Sequence, residues 1–111
     1  MPKDDLVYVG HMLDMTRKIV TVVKTRTRAD FDSDEILRLA LTHMVQVIGE
    51  AAGHVSQSFR STHPEIPWRA IVGMRQKVVH DYLAVDDDMV WDTVTREIPA
   101  LVARLEKVVE S

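Results

Sequence analysis

Arg75 and His80 stand five residues apart in the run Arg75-Gln76-Lys77-Val78-Val79-His80-Asp81-Tyr82, and their types together suit work on a phosphate. Arginine carries a permanent charge on a planar fork that grips two phosphate oxygens at once. Histidine, with an unperturbed pKa of about 6.5, takes or gives a proton near neutral pH, and positioned acid-base catalysis typically contributes about 10²- to 10⁴-fold. By itself this spacing is common in helical proteins, so geometry has to decide whether the two cooperate. At about 100° per residue, Arg75 and His80 lie about 140° apart around one helix. They converge only if the long arginine wraps around or the helix ends near His80. Arg75 and Tyr82, seven apart, share a face. A single helix is therefore a poor active site. Two such helices meeting across a two-fold axis would pool two histidines and two arginines around one phosphate, one histidine as base and the other as acid.

The elements that must position these residues read as helices throughout, with no alternation long enough to suggest a strand. The expected fold is all-α, an up-and-down bundle of four main helices. The first spans about residues 4–24, with Leu6, Val9, Leu13 and Val20 near helical spacing and a basic end suited to a helix C-terminus. The second starts after Asp32 or Ser33, where Glu35 completes something like a capping box, and runs to about residue 61 as the longest and most central. The turn His63-Pro64-Glu65-Ile66-Pro67 leads into the third, with Pro67 at its first position. That helix carries the candidate site and breaks at Ala84-Val85-Asp86-Asp87-Asp88. In the fourth, Trp91, Val94, Ile98, Leu101, Leu105 and Val108 form an apolar seam, kinked by Pro99. Trp68 and Trp91 read as core anchors.

At 111 residues the chain has room for one domain, taken as residues 1–111, with ordinary globular composition. It has no cysteine, which excludes disulfides, thiolate metal sites and a cysteine nucleophile. The absence of a long apolar run or a secretion-type N-terminus points to the cytoplasm and away from membranes. A net charge of -3 argues against wide non-specific binding to duplex DNA but leaves room for a local phosphate site. Charge is uneven: Arg60, Arg69, Arg75 and Lys77 precede the candidate site, and Asp81, Asp86, Asp87, Asp88 and Asp92 follow it. Such runs ordinarily form a solvated face. His43 and His54 share a helix face but lie about 16 Å apart along it, too far to hold one ion, so no metal is expected.

The run from Glu65-Ile66-Pro67-Trp68-Arg69 through Met74-Arg75 to His80-Asp81-Tyr82, with Val47-Ile48-Gly49-Glu50-Ala51-Ala52 upstream and Val90-Trp91-Asp92-Thr93-Val94 downstream, resembles the HepT-like branch of the HEPN superfamily. The resemblance covers nearly the whole chain. It implies a dimerising helical bundle whose R-x-x-x-x-H motif cuts RNA without a metal or cofactor. It also implies a toxin neutralised by a small nucleotidyltransferase antitoxin that adenylylates the tyrosine of an H-x-Y extension. Arg75 and His80 then match the catalytic pair, and Tyr82 matches the modified tyrosine. The position after the arginine departs from the Asn, Asp or His frequent in the superfamily: Gln76 can hydrogen-bond but cannot act as a base.

Residue chemistry fits this implication. RNA is cut without a metal when its 2'-hydroxyl is deprotonated, the leaving 5'-oxygen is protonated and the charge on phosphorus is stabilised, giving a 2',3'-cyclic phosphate end. Gln76, Asp81 and Glu50 complete the candidate set as supporting side chains. Glu50, between Gly49 and Ala51-Ala52-Gly53, has two readings: a structural pair with an arginine of the third helix, or a direct role in the cleft. Two rival functions remain at the sequence level. One is a non-catalytic helical adaptor using Arg75, His80 and Tyr82 to bind a nucleotidyltransferase or a nucleotide. The other is a purely structural dimerisation module.

Overall fold

The computed structural model describes residues 3–81 and 84–110; the side chains of residues 3, 75, 77–81 and 84 lie outside the description. Four long helical segments dominate. Helix α1 (Lys3–Val23) packs against α3 (Glu35–Gly53) and α7 (Ile98–Glu110), while α3 also receives α5 (Trp68–Val78). Short helices α2 (Arg28–Ser33), α4 (Gln57–Thr62) and α6 (Asp87–Asp92) join them. The chain is thus all-α in class, and α3 is its centre. Among the described residues no helix is long and apolar enough to cross a membrane.

The apolar seams set this packing. Val94, Ile98, Leu101, Leu105 and Val108 are all buried, as their spacing requires, and half-buried Trp91 packs on fully buried Phe31 with ring centroids 5.2 Å apart. Trp68 is buried too, and its Nε1 donates to the His63 carbonyl at 2.9 Å. On α1, Val9, Met12, Leu13 and Ile19 face inward, whereas Leu6 points outward and Val20 is only half-buried. Ile36 and Leu39 of α3 are likewise exposed, so that helix is less completely enclosed than its composition suggests.

Several boundaries differ from those expected. The basic stretch after α1 does not run on as loop to Ser33: Thr27 and Asp30 form a reciprocal capping box that starts α2. The cap of α3 is Asp34, whose carboxylate accepts from the Leu37 amide at 3.0 Å. The helix expected to reach residue 61 stops at Gly53, which leaves α1 the longest. Its continuation is cut by Asp5, 2% exposed, whose carboxylate accepts from both the backbone N–H and the hydroxyl of Ser56, at 2.8 and 2.7 Å. Ser56 then caps α4. The irregularity expected at Pro99 lies one turn earlier, as a π-helical turn (Thr93–Glu97) closed by the Ile98 amide bonding back to the Thr93 carbonyl.

The third long helix ends at Val78 and does not continue to the break at residue 84. Strand β1 (Val79–Asp81) follows and pairs antiparallel with β2 (Ala84–Val85) in the register Val79 to Val85 and Asp81 to Ala84. The β-branched pair Val78-Val79 favours leaving the helix there, since side chains branched at Cβ fit an extended backbone better than a helix.

Candidate active site

Helix α5 carries Arg75 one turn before its end, and β1 carries His80. The condition that a single-helix reading could not meet is therefore met by the backbone: the helix stops two residues before His80. The two positions are not held 140° apart on one continuous rod. Tyr82 lies outside the described residues, as do the side chains of Arg75, His80 and Asp81. Gln76 is exposed on α5.

Glu50 is exposed on α3 and is not the enclosed carboxylate that its small neighbours suggest. It lines a cleft of about 250 Å³ with Tyr8 and His11 of α1 and with Val47, Ala51 and His54, and none of these belongs to α5. Among the described residues no ion pair or side-chain hydrogen bond involves Glu50. The Tyr8 and His54 rings stack beside it, 5.0 Å apart and 19° from parallel. His43 is exposed on α3, and among the described residues no cluster of three or more His, Asp or Glu is placed to hold an ion.

The acidic run that follows the site is largely committed to structure. Asp86 caps α6 by accepting from the Met89 amide at 3.0 Å. Asp88 accepts from Arg28 at 2.7 Å, Asp87 stands 3.9 Å from Arg38, and Asp92 stands 3.3 Å from Arg96. Hydrogen bonds from Asp32 first and then Asp88 push the Arg28 guanidinium pKa further above its already high ordinary value.

The basic residues on the near side of the site are placed differently. The turn between α4 and α5 brings Arg60 and Arg69 together in a cleft of about 460 Å³ that Gln57, Ser61, Trp68 and Val72 complete. Among the described residues no acidic side chain lines it. Arg60 donates to the Ala52 carbonyl at 2.8 Å, while its Nε is buried with no partner among the described residues. Neither arginine has an ion pair among the described residues. Both stand out in the sequence as cations preceding the site. Their meeting in one cleft was not legible there, because it depends on the chain reversing between α4 and α5.

The chain matches the family described as Ribonuclease HepT-like over residues 12–108. A protein of Thermococcus cleftensis named "Probable ribonuclease HepT" is 40% identical to it over 78 residues, which is 70% of this chain and 71% of that protein. A protein of Caldanaerobacter subterraneus subsp. tengcongensis, named as a putative RNase, is 32% identical over 103 residues, 93% of this chain and 92% of that protein. No solved structure matches it significantly.

Proposed function

Because the chain belongs to the Ribonuclease HepT-like family, we propose that it is a metal-independent endoribonuclease with Arg75 and His80 as its catalytic pair. The observation that carries the proposal is the end of α5 at Val78, which frees His80 from the helical register of Arg75. His80 removes the proton of the 2'-hydroxyl, and that oxygen attacks the adjacent phosphorus. Arg75 neutralises the charge that builds on the phosphoryl oxygens. The 5'-oxygen leaves with a proton supplied by a second histidine, and the products are a 2',3'-cyclic phosphate and a 5'-hydroxyl. A homodimer with two copies of the motif at one cleft supplies that second histidine.

In this reading the chain is the toxin of a toxin-antitoxin pair, and a nucleotidyltransferase-type antitoxin is its partner. ATP is that partner's substrate. Adenylylation of Tyr82 adds a bulky anion seven residues along the chain from Arg75, which repels RNA by volume and by like charge. Gln76 and Asp81 support the pair by position, and Glu50 acts outside it.

The test is cleavage of a defined RNA in EDTA by the protein and by His80→Ala, with fragment ends identified. The parent is expected to leave cyclic-phosphate ends, and the variant to lose about 10²- to 10⁴-fold in rate while keeping its circular dichroism spectrum. Equal cleavage by both would remove His80 from the mechanism.

A further inference from the structure

Two guanidinium groups in one cleft, with no carboxylate among its described lining residues, repel each other, and an anion between them would relieve that repulsion. Arg69 is exposed, so its side chain is free to turn toward a ligand. Arg60 is half-buried and anchored through the Ala52 carbonyl, which holds its guanidinium in place beside the cleft. Gln57 and Ser61 add neutral hydrogen-bonding groups at the rim, and Trp68 and Val72 form an apolar wall. Forked cations, neutral donors and an apolar flank together describe a seat for a phosphodiester with a sugar or base beside it.

The cleft also lies along the helix that carries Arg75, with Arg69 about 120° around it from Arg75 at about 100° per residue. Arg69, Val72 and Gln76 follow one face of α5 at spacings of three and four. Val72 stands about 60° around the helix from both Arg69 and Arg75, at about 100° per residue. Arg75 is about 9 Å farther along the axis than Arg69. We infer that the Arg60-Arg69 cleft is a second phosphate subsite, which holds an RNA strand by its backbone a few nucleotides from the phosphate at Arg75. The inference rests on the RNase reading for its direction, and on the cleft alone for its chemistry. It sets substrate length: an RNA that spans both positions binds better than a dinucleotide, whatever its bases.

Binding of fluorescein-labelled, 2'-O-methylated RNA oligonucleotides of increasing length, followed by anisotropy at several salt concentrations, tests this without requiring cleavage. Arg69→Ala is expected to weaken a long oligonucleotide about tenfold, as for loss of a charged hydrogen bond. It should also make the plot of log affinity against log salt shallower by about 0.7, the value for one phosphate on a single strand. Lys18→Ala, which removes the same charge from an exposed pair with Asp14 on α1, is the control for net charge and should leave the slope unchanged. Arg60→Lys keeps the charge but loses the fork, and should weaken binding with little change in the salt slope.

Identical slopes for Arg69→Ala and Lys18→Ala, or no RNA binding by the parent, would overturn the subsite. So would affinity that is flat with length and matched by inorganic phosphate, because the cleft would then hold a small anion and no strand. A parent that binds RNA through Arg69 yet cuts none would leave the subsite standing and remove the RNase reading. A parent that cuts RNA with Arg69 silent would do the reverse.

Discussion

The corner where α2 meets α6 and the cleft where α4 meets α5 both gather charge, and they use it in opposite ways. At the corner, Arg28 bonds Asp32 at 2.8 Å and Asp88 at 2.7 Å and lies 5.6 Å from the centre of the Phe31 ring, so its cation is fully engaged by carboxylates of the chain. In the cleft, Arg60 and Arg69 face no carboxylate among the described residues. Charge that is matched within the chain holds elements together, and charge left unmatched beside a cavity is available to a ligand. The acidic run Asp86-Asp87-Asp88 therefore says little about function although it is the more conspicuous in sequence, and two separated arginines say more.

Substitutions can break or sharpen that contrast. The largest stability effect should come from the apolar platform beneath the corner. Phe31 is fully buried, and Phe31→Ala should cost about 3–5 kcal/mol in urea denaturation. Asp5→Ala should cost about 2–3 kcal/mol by the same measurement, because it removes a buried carboxylate that accepts two hydrogen bonds from Ser56. Its loss should also disturb the α3-α4 break on which the cleft depends, so RNA binding should weaken along with stability. Asp86→Ala removes the cap of α6 and should cost about 1 kcal/mol.

The smallest effects should fall on the exposed ion pairs. Arg28→Ala should lower the thermal midpoint slightly at low salt, with the difference fading as salt screens the parent's pairs. The sign of its pH dependence follows from a raised pKa. Its stabilisation is fully present below the ordinary arginine value and lost only as pH rises through the higher one, so the Arg28 charge adds no slope near neutrality. Arg69→Ala should leave the midpoint unchanged while weakening RNA binding. If instead Arg69 proved stabilising and Arg28 proved necessary for RNA, the contrast between the two regions would be inverted.

Local pattern, by itself, determined the all-helical class, the buried seam from Val94 to Val108 and the anchoring of Trp68. These follow from periodicity and side-chain chemistry, which act between residues close in the chain. Only the tertiary structure decided where the long helices stop. Asp5 holds Ser56, in the break between α3 and α4, from 51 residues away, and pairing with β2 draws Val79 and His80 out of the helix that carries Arg75. The tertiary structure also decided that the acids of α6 stand beside arginines while Arg60 and Arg69 meet with no carboxylate among the described residues of their cleft. Which charges find partners depends on chain reversals, and a reversal is set by contacts between segments that the order of residues does not bring together.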